Sequence, residues 1–101
     1  MLADQPLTDV LALLREQKQS LFEKFGVQSL AVFGSYVKNA QKGDSDVDLF
    51  VELEPGHKTF DNYMELKFCL EDTLHKKIDL GMKDSLREEI KAEVLREAVY
   101  V

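Results

Sequence analysis

The sequence predicts an α+β protein, a small sheet backed by helices in the order α-β-α-β-α-β-α. Three observations carry this prediction. Short apolar runs at 27–33, 46–53 and 77–80 have the length of strands, and amphipathic stretches of helical period separate them. Turn residues punctuate the junctions at Gly26, Gly34-Ser35, Gly43-Asp44-Ser45 and Pro55-Gly56. At 101 residues the chain suffices for one modest core and is too short for two, so residues 1–101 are expected to form a single domain.

Thr8 or Asp9 can cap a first helix running to about Phe25, with Val10, Leu11, Leu14, Leu21, Phe22 and Phe25 as its apolar stripe. Gly26 supplies its stop. Val27 to Phe33 then reads as a short buried strand. Gly34-Ser35 turns into a short helix over Tyr36 to Ala40, and Gly43-Asp44-Ser45 leads into a strand from Asp46 to Leu53. Glu52 and Glu54 at its end are expected to face water. Thr59 to Leu74 reads as a long helix with Phe60, Tyr63, Met64, Lys67, Leu70 and Leu74 on one side. Lys77 to Leu80 is a third strand. Ser85 with Glu88 matches a capping box for a last helix that turns Leu86, Ile90 and Val94 inward.

A hydrophobic fraction of 45% with 32% charged residues describes an ordinary soluble globular chain. A net charge of −6 argues against direct binding of nucleic acid, because neutralising phosphates needs a basic surface. No apolar run reaches the roughly 18 residues of a membrane span, and no basic-then-apolar leader opens the chain. The single cysteine, Cys69, makes no internal disulfide, and a reducing cytoplasm is the expected location. Cys69 reads as a packing residue, His57 as a polar loop residue and His75 as a helix-end cap.

The chemistry concentrates between Leu30 and Leu53. An apolar run ends at Gly34-Ser35, and eleven positions after the serine a second begins with Asp46 and Asp48. Strand side chains alternate between faces, so the two carboxylates point the same way, with Cα atoms about 6–7 Å apart. Like charges on one face repel, and a bound divalent cation relieves the repulsion. Alone, Asp-x-Asp is more often a solvated turn. Three further features add weight. Gly34-Ser35 lets the backbone approach a phosphate, although a tight turn with a capping serine explains the pair equally well. Asp79 is a third acid inside an apolar strand, where a carboxylate needs an open strand end or a cation. Lys38 or Lys42 can reach a triphosphate, against the background that exposed lysines are common.

Gly34-Ser35 followed by Ser45-Asp46-Val47-Asp48-Leu49 resembles the Gly-Ser…Ser-Asp-x-Asp-Leu signature of the polymerase-β-like nucleotidyltransferases. The chain's size, Ile78-Asp79-Leu80 and the ending Leu95-Arg96-Glu97-Ala98-Val99-Tyr100-Val101 are similar to the minimal nucleotidyltransferases (MNT) encoded beside HEPN-domain partners. The resemblance implies a mixed sheet of at least three strands and two magnesium ions held by Asp46, Asp48 and Asp79. Asp79 would also help to activate the attacking hydroxyl, and Gly34 and Ser35 would bind the β- and γ-phosphates of ATP. Many MNT chains show Ala-Arg-Gly where this one has Val37-Lys38-Asn39. Lys38 keeps the positive charge near the nucleotide and loses the bidentate fork of arginine.

The function so implied is AMP transfer from ATP to a hydroxyl, a tyrosine, of a HEPN ribonuclease toxin, by an antitoxin that forms a hetero-oligomer with it. Two alternatives stand beside it. One is a non-catalytic antitoxin that masks the HEPN partner, for which an acidic chain facing a basic RNA-binding surface is suited. The other is nucleotidyl transfer to a small molecule such as an aminoglycoside.

Overall fold

The computed structural model describes residues 7–38 and 46–101. The Gly43-Asp44-Ser45 turn, Lys42 and the far end of the expected 36–40 helix lie outside those residues. Four strands, β1 (Val27–Phe33), β2 (Val47–Leu53), β3 (Ile78–Met82) and β4 (Val99–Tyr100), make one sheet in the spatial order β3-β2-β1-β4. β1 is antiparallel to β2 and β4, while β2 and β3 run parallel, so the sheet is mixed. Parallel neighbours need a crossover, which α3 (Phe60–Leu74) provides. The other helices are α1 (Leu7–Glu16), α2 (Lys18–Phe25) and α4 (Glu88–Glu97).

Strand alternation sorts the residues onto two faces. Val47, Leu49, Val51 and Leu53 point from β2 into the core, beside Leu30 and Val32 of β1 and Ile78 and Leu80 of β3. Val10, Leu11 and Leu14 of α1, Leu21 and Phe25 of α2, and Leu66, Leu70 and Leu74 of α3 pack with them. The opposite sheet face receives Asp48, Phe50 and Glu52 by the same alternation. Phe50 and Ala31 are fully buried yet stand apart from the main core. Phe33 and Tyr100 cover Phe50, with ring centroids 5.8 Å away in each case.

Several expectations are corrected. The first helix is two helices that meet at Gln17 (φ −99°, ψ 1°), where Gln17 N–H reaches back three residues to the Leu14 carbonyl. Between Leu14 and Leu21 the chain has no buried residue, so nothing holds the polar run on the core in one helical line. Leu7 is already helical, which puts Thr8 and Asp9 inside α1 instead of at its cap. On α3 the inward stripe is Leu66, Leu70 and Leu74, while Phe60 is 75% exposed. The Ser85–Glu88 capping box is absent: Lys83–Ser85 forms a 3-10 turn, and α4 begins after an extended Arg87. α4 has no buried residue, and Ile90 is 44% exposed.

Glu52 does not simply face water. It is half-buried, accepts a hydrogen bond from Ser29 Oγ at 3.2 Å and lies 3.7 Å from Lys83 Nζ. His57 packs against Gly26, where an added Cβ would lie 2.2 Å from the imidazole Cγ. Gly26 also needs its positive φ (67°) to end α2 with its N–H on the Phe22 carbonyl. Thr59 caps α3 by accepting from the Asn62 N–H, and His75 ends it in the left-handed conformation.

Candidate active site

β1 and β2 place Gly34 and Asp48 against each other. Phe33 pairs with Asp48 across the strands, and the chain then turns through the 3-10 segment Gly34–Tyr36. Tyr36, 1% exposed, anchors that turn in the main core. Gly34 has φ 76°, a conformation that an L side chain rarely adopts. A Cβ on it would stand 2.2 Å from Asp48 Oδ2. The glycine is therefore required twice, for the turn and for the carboxylate lying on it.

The parallel β2–β3 register sets Asp48 directly beside Asp79. Paired residues of neighbouring strands point to the same face, with strand axes about 4.8 Å apart. Asp46 immediately precedes β2 and is exposed, Val47 is buried, and Asp48 is half-buried. Asp48 and Asp79 thus share the face away from α1–α3, and Asp46 stands at the entry to β2. Asp79 is exposed there, at a strand position where burial would be costly. Among the described residues no three His, Cys, Asp or Glu side chains converge into a formed metal cage. Register, then, is what unites the acids. Their donor set, all carboxylate oxygen, has the chemistry of a hard divalent cation.

Lys38, exposed, follows the turn with its N–H on the Gly34 carbonyl at 3.1 Å, and its ammonium lies 3.7 Å from Glu97 of α4. Phe33, Gly34 and Lys38 face Ile90, Glu93, Val94 and Glu97 across a groove of about 260 Å³. The Ser35 backbone belongs to the turn; the expected hydroxyl contribution of Ser35 lies outside what the structure describes.

Three supports of this site carry no signal in the sequence. β4, two residues long, offers no periodicity to detect. Tyr36 and the Phe33–Phe50–Tyr100 cluster act through contacts between strands, which only the register reveals. Asn62 joins three segments: its amide donates to the Phe25 carbonyl at 2.8 Å and the His57 carbonyl at 3.0 Å.

Comparison with known proteins finds relatives of the chain and of its fold. The nucleotidyltransferase domain family model matches residues 14–101. The protein adenylyltransferase MntA of Thermococcus cleftensis is 43% identical over 95 residues, 94% of this chain and 95% of its own. A solved structure described as a minimal nucleotidyltransferase superposes with a TM-score of 0.77 at 34% identity, covering 90% of this chain and 92% of that one. At 20% identity, the complex of a tri-AMPylated Shewanella oneidensis HEPN toxin with its MNT antitoxin shares the fold, with a TM-score of 0.62 and coverage of 88% and 69%.

Proposed function

The chain belongs to the nucleotidyltransferase domain family, and from that premise we propose that it transfers AMP from ATP to a tyrosine hydroxyl of a HEPN-domain toxin, as a magnesium-dependent antitoxin. The observation that carries this reading is the pairing of Asp48 with Asp79 on one sheet face, with Gly34 closed against the Asp48 carboxylate. A relative that covers nearly the whole chain is named a protein adenylyltransferase, which supports a protein acceptor.

In this reading Asp46, Asp48 and Asp79 would hold two magnesium ions. When bound, such a pair stabilises both the attacking and the departing oxygen at the α-phosphorus. The amides of the Gly34 turn and the Ser35 hydroxyl donate to the β- and γ-phosphates, as backbone N–H groups in tight turns do for anions. Lys38, next to the turn, adds positive charge once it exchanges Glu97 for phosphate. Asp79 accepts the proton of the acceptor hydroxyl, for which an exposed carboxylate on the open face is suitably placed. The partner's hydroxyl approaches from that face, since the other is filled by α1–α3.

Incubation of the chain with its HEPN partner, ATP and magnesium, followed by intact-mass analysis, is the test. The partner is expected to gain one or more AMP-sized increments on tyrosine, and none when Asp46 and Asp48 are both alanine. A double variant that still transfers AMP at the wild-type rate would remove the metal assignment.

A further inference from the structure

We propose that the chain self-associates head to tail, with an aromatic ridge on α3 of one copy seated in the groove where α1 meets α2 on a second copy. The inference is independent of the nucleotide chemistry. Both surfaces belong to the helices that cover the far side of the sheet from Asp48 and Asp79.

The ridge is a property of helical spacing. Phe60, Met64 and Phe68 follow one another at intervals of four along α3, so they form one row about 12 Å long. Leu66, Leu70 and Leu74 take the core side of the helix, and the row slants across the side turned away from them. Phe60 is 75% exposed and Phe68 58%, with the half-buried Met64 between them. Apolar residues scattered singly on a surface are ordinary, whereas an aligned row gains from being covered. Beside the row stand the carboxylates of Asp61, Glu65 and Asp72, all exposed.

The groove has the opposite character. Arg15, Lys18, Gln19, Phe22 and Glu23 line a space of about 460 Å³ at the junction of α1 and α2, open enough to receive an aromatic side chain. Phe22 is half-buried and supplies an apolar wall, and the Lys18 ammonium lies 5.4 Å from its ring centroid. Arg15 is held in place by the Tyr100 carbonyl at 3.2 Å. Glu23, the acid among the lining residues, already accepts from Gln19 at 3.2 Å.

Charge selects the occupant. An aromatic row flanked by carboxylates meets its complement in an aromatic wall flanked by Arg15 and Lys18, and this one chain carries both. Ridge against ridge would instead set carboxylates against carboxylates. A contact between two different surfaces of the same chain is heterologous, so it grows by addition or closes into a ring. It also leaves the acid-bearing face of every copy open.

The test uses that asymmetry. Sedimentation equilibrium of the full chain from about 10 μM to about 1 mM is expected to show a mass that rises with concentration. Phe60→Ser/Phe68→Ser breaks the ridge and Lys18→Glu breaks the groove. All three positions are exposed, so the fold should persist, and Phe68→Ser alone gives the same contrast with a smaller loss if the double variant unfolds. Each variant by itself is expected to associate at least about tenfold more weakly. An equimolar mixture is expected to recover pairing and to stop at the heterodimer, because one chain keeps the groove and the other keeps the ridge. A wild-type chain that is monomeric throughout overturns the inference. So does a mixture that associates no better than its components, or a Lys18→Glu chain that associates like the wild type.

Discussion

Asp48 and Gly34 show how closely a single residue pair can be constrained. The carboxylate occupies the space that any side chain at position 34 would need, and the backbone there is left-handed. Gly34→Ala is therefore expected to cost about 1–3 kcal/mol in backbone strain alone. It should also displace Asp48 and reduce AMP transfer well beyond what the stability loss explains. Gly56 is the control: nothing lies within 4 Å of an added Cβ, so Gly56→Ala should change stability by less than about 0.5 kcal/mol. Urea unfolding of the two variants, with the transfer rate measured under native conditions, makes the comparison. Equal effects at the two positions would remove the special role of Gly34.

At the scale of elements, the strands that carry the site were legible because their apolar runs are compact and their turn residues unambiguous. Val27–Phe33 matches its expected bounds, and the parallel partner of Asp48 came from an acid set inside Ile78-Asp79-Leu80. The last helix was legible, but its start was misplaced, because Ser85 and Glu88 carry a capping signature while Arg87 takes an extended conformation and α4 begins at Glu88. Local sequence also cannot report the long-range contact at β4, where the Arg15 guanidinium donates to the Tyr100 carbonyl at 3.2 Å. Asn62 was invisible for a similar reason, since a helix-surface asparagine gains meaning only from the carbonyls it meets. Those carbonyls end α2 and the Pro55–His57 turn, and they accept from one amide. Asn62→Ala leaves both without that donor and should cost about 1–3 kcal/mol. It should also loosen the joint between α2 and α3 without changing the acids. Thermal unfolding together with hydrogen exchange at Gly26 and His57 would detect this, and an unchanged melting temperature would show that the bridge carries no stability.

The whole molecule is small and acidic, with a net charge of −6, one sheet face packed by helices and the other bearing the acids. If the proposed HEPN partner presents a basic RNA-binding surface, that arrangement suits two ways of silencing it. An acidic surface can cover the partner's RNA-binding site for as long as the complex lasts, or the open face can modify a hydroxyl and leave the partner altered after release. Asp79 separates them. It is exposed, so Asp79→Asn keeps the shape and should cost less than about 0.5 kcal/mol of stability. One charge fewer out of a net −6 barely changes the field that would steer a masking protein. In the proposed reaction, the same change removes the group that would receive the acceptor's proton. If the chain is an enzyme, Asp79→Asn should still bind nucleotide and partner, yet leave the partner unmodified and active once the two are separated. The measurement is partner mass and ribonuclease activity after incubation with ATP and magnesium and subsequent removal of this chain. A partner that recovers full activity after separation from the wild-type chain, with no gain in mass, would establish masking as the mechanism.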